Sequence, residues 1–411
     1  MELNNGRYVI NGLDLVELSQ EFGSPLYVYD GHKIINQLQN LKNAFSETDI
    51  KIKYAVKALS NISVLKLLQQ NGAGVDVVSI QEAQLAIKAG FTPAEIMFTP
   101  NSVDFGEICE GVELGLCINI DNLSILEKFG AKYRDNYPVC IRLNPHILAG
   151  GNYKISTGHG SSKFGISVYQ LNHIVEIVNK WKIQVNGLHI HTGSEIVETD
   201  VFLKMAEILF GVAREFPALK FLDIGSGFKV AYKDDDMVTN VYDLGLKLGK
   251  AFREFYASYG RKLELWIEPG KYLVSEAGLL LVTANVIKNS PSSVFVGVNS
   301  GLNHLLRPMM YDAYHHIRNI SNTTGAQKVY TVVGYICETD TFGVDRKLNE
   351  VREGDVLAIH NAGAYGFSMS SNYNSRPRPA EVLIWNGEAK LIRRAETLDD
   401  IMRTQIDIWE K

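Results

Sequence analysis

Cysteine is scarce in this chain: there are four, at Cys109, Cys117, Cys140 and Cys337, in 411 residues. None forms a Cys-x-x-Cys pair and none has histidine partners at zinc spacing, which excludes a disulfide framework or a cysteine-based zinc site as the organising principle. Free thiols suit a reducing compartment. Basic blocks are also missing, and the formal net charge is -5. That excludes a nucleic-acid surface while leaving room for a small anion held locally. No apolar run has the length of a membrane helix; the longest, around 278–286, reads as a strand. The N-terminus, Met1-Glu2-Leu3-Asn4-Asn5-Gly6-Arg7, lacks a basic segment followed by an apolar one. No secretory signal is therefore expected, and a cytoplasmic location is. Internal repeats, low-complexity tracts and long linkers are absent too.

What remains is ordinary globular composition, 46% hydrophobic and 21% charged. The length suits two domains, or one barrel with an appendage. After a short strand, a helix over 14–22 and a second strand at Pro25-Leu26-Tyr27-Val28-Tyr29, strands and helices alternate from Asp30 onward. Apolar residues at helical spacing, several opened by Ser, Asp or Thr, predict helices over 32–45, 62–70, 80–89, 104–114, 123–129, 168–180, 201–216 and 241–258. Between them lie runs apolar on both faces, at 50–56, 74–78, 96–99, 117–120, 138–143, 185–190, 219–224 and 263–267. Eight such strands alternating with helices predict a (β/α)8 barrel over 30–270, with an open doubly wound sheet as the runner-up. After Glu268-Pro269-Gly270 the period changes. Strands are expected at 272–276, 279–288, 294–298, 328–333, 356–360, 380–385 and 388–392. Residues 271–411 read as a β-rich domain that also takes residues 1–29.

The residues at or just past the strand ends are Lys57, Asp76, Pro100, Asp121, Arg142, His191, Gly225 and Glu268. In a barrel they converge on one mouth, where such folds keep their chemistry. Lys57 stands out, as a lysine where the strand Tyr54-Ala55-Val56 stops. It is read as holding an aldehyde cofactor as a Schiff base. Gly225-Ser226-Gly227 is either a plain tight turn or a phosphate cradle, since glycines let a phosphate approach backbone N–H groups. His189 and His191 alternate to the same face. They could begin a zinc site, though no third ligand is evident. Alternatively one imidazole stacks on a flat ring with Ser194 reaching a phosphate, and the bland role of a core histidine fits His189 better than His191. Glu268 is either a salt-bridge glutamate or the partner of a protonated pyridine nitrogen, which turns a ring into an electron sink. Arg142 is a candidate holder of a phenolate or carboxylate. Cys337-Glu338 pairs a thiol with a carboxylate, able to deliver a proton and bind an ammonium. Its bland alternative is a small buried hydrophobe. The loop from Gly363 through Tyr365 to Pro379 interleaves aromatics and polars, as functional loops do.

Taken together, these residues resemble the fold type III pyridoxal-phosphate-dependent decarboxylases, and among them the diaminopimelate decarboxylases. The resemblance covers nearly the whole chain. It rests on Tyr54-Ala55-Val56-Lys57-Ala58, Gly74 to Ser79, Ser162-Lys163-Phe164-Gly165-Ile166, His191-Thr192-Gly193-Ser194-Glu195, Glu268-Pro269-Gly270, Arg307-Pro308 with Tyr311 to His315, Cys337-Glu338 and the 363–379 segment. It implies pyridoxal 5'-phosphate as cofactor, with Lys57, His191, Ser194, Gly225, Gly227, Glu268, Gly270, Lys271 and Tyr365 around it. It implies Arg307, Tyr311, Glu338, Lys271 and Tyr365 for substrate, and Lys57, Cys337, His191 and Glu268 for catalysis. It also implies a homodimer whose active sites share Cys337 and Glu338, an alanine racemase-like architecture, no metal, and neither nucleic acid nor membrane as a partner.

The implied reaction is decarboxylation of meso-2,6-diaminopimelate to L-lysine, the last step of lysine biosynthesis. Alternatives are decarboxylation of carboxynorspermidine, ornithine or a carrier-bound amino acid, a racemase, or a cofactor-binding protein without turnover. Three departures from the family pattern stand out: Lys271 where arginine is usual, Ser226 where a glycine is usual, and Thr339-Asp340-Thr341 after Cys337-Glu338.

Overall fold

The computed structural model describes residues 1–147, 158 and 162–409. They form two compact units. One comprises Ile35–Ala231 and Asp236–Leu273; the other comprises Met1–Ile34, Tyr232–Asp235 and Val274–Lys411.

The first unit is the expected barrel. Its strands are Ile50–Ala55, Gly74–Val77, Ile96–Phe98, Cys117–Ile120, Val139–Asn144, Val185–Ile190, Phe221–Asp223 and Glu264–Ile267, numbered one to eight here in chain order. Each pairs in parallel with the next, and strand eight closes on strand one through Ile267 and Ile52. Closure rules out the open-sheet alternative. The strands are apolar on both sides because both sides are covered: Val75, Val77, Ile96, Met97 and Phe98 are all fully buried. A short strand, Ile166–Ser167, adds to strand five.

The helices between begin where the sequence supplies caps. The Asn61 side chain accepts from Ser63 N at 2.9 Å and opens Ile62–Gln70. Ser79 accepts from Glu82 N at 3.2 Å, while the Glu82 carboxylate reaches back to Val78 N at 2.9 Å. Gly90 ends that helix, Ile80–Ala89, in the left-handed region at φ 104°. Such caps are each worth about 1 kcal/mol.

The second unit is built on one large sheet. Its main path runs Thr341–Asn349, Gln327–Val333, Val294–Val298, Gly278–Asn289, Leu26–Asp30, Ala380–Trp385 and Glu388–Arg393, with Ile317–Asn319 and Val356–Ile359 off that path. The N-terminal strand Leu26–Asp30 is central, antiparallel to Gly278–Asn289 and parallel to Ala380–Trp385. Leu26, Val28, Leu281 and Val382 join one core cluster with Leu15 and Leu18. The chain before that strand does not join the large sheet. Glu2–Asn4, Arg7–Ile10 and Leu13–Asp14 form a three-stranded sheet of their own.

Two expectations differ from the fold here. Residues 272–276 do not form a strand; Lys271–Val274 is one helical turn, because the Leu273 and Gly270 backbones bond as a turn directly after strand eight. Thr341–Asn349 is a strand the pattern did not announce, since Val344, Asp345 and Lys347 leave its middle exposed.

Candidate active site

Lys57 sits in a single tight turn, Val56–Ala58, directly after barrel strand one. Val56 and Ala58 are fully buried, and the Lys57 side chain between them is exposed. The segment after strand eight is laced to this turn. Ala55 N donates to Pro269 O at 3.2 Å, and a Cβ on Gly270 would lie 3.2 Å from those of both Ala55 and Ala58. The lysine charge acts on Asp76, Glu82, His189 and His191, so these groups share its surroundings.

Glu268, at the end of strand eight, is only 8% exposed. Burial opposes its charge, but His189, His191 and Arg142 outweigh it and hold the carboxyl down at about 2. Its neighbours Asp76 and Asp223 go the other way. Burial, and then repulsion by Glu268, pushes both well above the usual carboxyl range. Of these three buried acids, Glu268 is thus the one whose surroundings favour the charged form. Its Oε1 is buried without a hydrogen-bond partner. A buried acceptor in that state is costly unless a donor arrives, about 1–3 kcal/mol.

His191 follows strand six, and the glycine turn follows strand seven. Gly225 has φ +64° and Gly227 φ +119°. Ser226 N donates to His191 Nδ1 at 3.3 Å. A Cβ on Gly225 would fall 2.6 Å from that same nitrogen, and one on Gly227 would fall 2.5 Å from Gly193 O. Ile196 N donates to Gly227 O at 2.9 Å. The turn carrying Ser194 and the turn carrying the glycines therefore brace one another. Lys271 is buried and pairs with Glu195 at 3.1 Å, tying the end of strand eight to the Ser194 turn. Lys57, His191, Ser194, Gly225, Gly227, Glu268, Gly270 and Lys271 thus all lie at the C-terminal ends of strands one, six, seven and eight. Arg142, on strand five, is buried with its guanidinium 4.8 Å from the Phe164 ring centroid.

The remaining candidates belong to the other unit. Arg307 opens the short helix Arg307–Tyr311, which puts Arg307 and Tyr311 one turn apart. Arg307 is buried and donates to the Tyr232 hydroxyl at 2.5 Å; that hydroxyl lies 3.2 Å from Ser275 Oγ. Cys337 and Glu338 are exposed. Asn374 Nδ2 lies 3.2 Å from Cys337 Sγ, and the Tyr373 hydroxyl donates to Glu338. Asp340, in the part of this stretch that departs from the family pattern, is a loop clamp: its carboxylate accepts from Leu302 N at 2.7 Å and Ile336 N at 3.0 Å. Tyr365 has φ +56° in the turn after Gly363, whose Cβ position would be 1.9 Å from Val274 O.

Sequence reasoning gave no role to Asn119, Asp223 or Tyr232. A signal existed for two of them. Asn119 in Cys117-Ile118-Asn119-Ile120 and Asp223 in Leu222-Asp223-Ile224 are polar residues inside apolar strands, and such residues are buried only with partners. Among the described residues His189, Asp223 and Glu268, without His191, each bring one possible ligand atom within 4.8 Å of the others.

Comparison with known proteins gives a consistent picture. The family described as pyridoxal-dependent decarboxylase, pyridoxal binding domain, matches residues 31–275. The diaminopimelate decarboxylase of Methanothermobacter thermautotrophicus is 37% identical, over 98% of this chain and 97% of its own. That of Bacillus subtilis is 34% identical, over 98% and 96%. Among solved structures, the Helicobacter pylori diaminopimelate decarboxylase in complex with L-lysine superposes with a TM-score of 0.87 at 33% identity, covering 95% of this chain and 98% of that one.

Proposed function

Because the chain belongs to the pyridoxal-dependent decarboxylases, and within them to the diaminopimelate decarboxylases, we propose that its barrel mouth is built to remove CO2 from meso-2,6-diaminopimelate and leave L-lysine. Pyridoxal 5'-phosphate is the cofactor, and it supplies the electron sink for the pair left behind when CO2 departs. The observation that carries the chemistry is Glu268: a buried, ionised carboxylate whose Oε1 has no donor. A protonated pyridine nitrogen is the donor such an oxygen lacks. In the glycine turn the Gly225 N–H serves Asp223 and the Ser226 N–H serves His191, so the Gly227 N–H is the turn's candidate for a phosphate, and Lys57 offers an amine at the same mouth.

The roles follow from the side chains. Lys57 attaches the cofactor through Nζ. His191 would lie against its ring, and Glu268 would hold the ring nitrogen. Ser194, Gly225, Gly227 and Tyr365 hold the phosphate, with Gly270 and Lys271 shaping that side. Lys271 already answers Glu195, so we assign it to positioning more than to gripping substrate. The distal end of diaminopimelate is a zwitterion and needs one group of each sign. Arg307 takes its carboxylate and Glu338 its ammonium, with Tyr311 beside Arg307. Ornithine has no distal carboxylate and would leave that guanidinium without an anion beside its Tyr232 contact, which ranks it lower. Cys337 returns a proton to the carbon that lost CO2. Cys337 and Glu338 are exposed, which supports a homodimer in which they serve the partner's site. No helix among the described residues is long and apolar enough to cross a membrane; the free thiols support a reducing, cytoplasmic setting.

One preparation tests the reading. The holoenzyme is reduced with borohydride and peptide-mapped, and CO2 release is measured on meso-diaminopimelate, ornithine and carboxynorspermidine. Label on Lys57 and turnover of diaminopimelate are expected. Label on another lysine, or turnover of a polyamine precursor alone, overturns it.

A further inference from the structure

Of the two histidines on strand six, only His191 has a task in that assignment; His189 has none. His189 is 1% exposed, and its Nε2 lies 3.1 Å from Glu268 Oε2. Behind it, Asn119 Nδ2 lies 3.0 Å from His189 Nδ1 and donates to Thr99 Oγ1 at 3.3 Å. Asn119 and Thr99 are buried as well. An amide nitrogen facing Nδ1 makes that atom the acceptor, so the ring proton sits on Nε2, toward Glu268. That N–H reaches the Glu268 carboxylate across 3.1 Å in a dry site, where its pull on the oxygen is unscreened. Burial keeps the His189 ring neutral. A neutral donor favours the carboxylate over its acid form without adding a cation beside Arg142 and Lys57.

We infer that His189 is a positioning residue, which keeps Glu268 ionised and its free oxygen open to the cofactor's ring nitrogen, with Asn119 fixing the tautomer. This rests on the assignment of Glu268 to that nitrogen. Around Glu268 the other titratable or charged groups include Asp76, Cys140, Arg142, His191, Asp223 and Lys57. Asp223 is the other group hydrogen-bonded to Glu268, and its Oδ1 accepts Gly225 N at 2.8 Å; His189 is the neighbour that offers Glu268 a ring N–H.

The test is reconstitution of apoenzyme with pyridoxal phosphate in the His189→Phe, His189→Gln and Asn119→Leu variants, read by visible absorption from pH 5 to 9, cofactor affinity, and kcat against KM. In His189→Phe we expect cofactor affinity at least tenfold weaker, an absorption band that titrates within that range where the wild type stays constant, and a kcat that falls more than KM changes. His189→Gln, whose amide still donates, should recover most of the loss. Asn119→Leu should show the same titration more weakly, and it decides the matter if the phenylalanine variant does not fold.

An unchanged spectrum and affinity with only a lower Tm would reduce His189 to a core residue. A stoichiometric divalent metal in the wild type that is lost in His189→Phe would make the His189–Asp223–Glu268 group a metal site instead; elemental analysis decides. If the wild type forms no visible band with pyridoxal phosphate, the fault lies with the cofactor assignment itself.

Discussion

Ser226 donates its backbone N–H to His191 Nδ1 across 3.3 Å, so the glycine turn after strand seven sets the tautomer of the histidine after strand six. With Nδ1 accepting, the ring proton belongs to Nε2. Burial, reinforced by Arg142 and Lys57, pushes the His191 pKa well below its ordinary value. His191 is therefore a neutral flat ring at working pH. A neutral ring suits the stacking proposed for His191, because a second cation beside a cationic pyridinium would be repelled.

The same contact makes Gly225 the most exacting position of the turn. Alanine would adopt φ +64° at a cost of about 1–2 kcal/mol, and its Cβ would press on His191 Nδ1 from 2.6 Å. For Gly225→Ala we expect a stability loss of about 2–3 kcal/mol and at least a tenfold loss of pyridoxal phosphate affinity, read by urea unfolding and cofactor titration. Affinity within twofold of the wild type would show that the His191 ring is not held by this turn.

Removal of the Lys57 amine separates chemistry from stability. The side chain is exposed while its neighbours Val56 and Ala58 are buried. Lys57→Ala should leave unfolding free energy within about 0.5 kcal/mol, as at other solvent-facing sites. CO2 release should fall at least about a thousandfold, as expected when a covalent group is removed. Substantial turnover without Lys57 would move the attachment elsewhere.

How much of this was legible in the sequence depends on where each signal lies. The helices at Ile62–Gln70 and Ile80–Ala89 were readable to the residue because Asn61, Ser79 and Gly90 mark their ends chemically. The strand ends were readable because strands buried on both faces give unbroken apolar runs. Lys271–Val274 was misread, since one helical turn is too short for any period to show. The bracing of His191 by Ser226, and of Glu268 by His189, could not be read at all. Those pairs lie 35 and 79 positions apart, and only the closed barrel brings them together. Asp223 could have been suspected, as an acid inside an apolar strand.

Asp223 yields a pH prediction. Its folded pKa is raised by burial and by Glu268 above the ordinary 3.8. A raised carboxyl favours the folded state fully below about pH 4, and that contribution is lost as pH rises toward the folded pKa. The carboxamide introduced by Asp223→Asn does not titrate, keeps an oxygen for Gly225 N and offers Glu268 an amide. The variant's apoenzyme should therefore gain stability over wild type as pH rises from 5 to 8. Asp76 is also raised and its charge acts on Asp223, so the comparison is made with Asp76→Asn in both proteins. Urea unfolding at the two pH values is the measurement. An identical difference at both would mean that Asp223 does not hold its proton.

The last prediction concerns the sheet unit alone. Glu381 is fully buried in the strand Ala380–Trp385, beside the half-exposed Arg393 of the edge strand Glu388–Arg393. The Tyr29 hydroxyl of the central N-terminal strand donates to the same carboxylate at 2.8 Å. Burial and Glu381 both raise the Tyr29 pKa, so the phenol keeps its proton and remains a donor. Arg393 also lies 4.5 Å from the Phe367 ring centroid. In Arg393→Ala a buried carboxylate keeps the phenol but loses this cation, which should cost about 2–4 kcal/mol. Arg393→Lys should recover only part, because an ammonium does not reproduce the planar guanidinium over the ring. If the charge is the cause, Glu381→Gln added to Arg393→Ala should regain stability, since a neutral amide needs no counter-ion. Loss in the double variant equal to the sum of the two single losses would instead assign the effect to packing against Phe367.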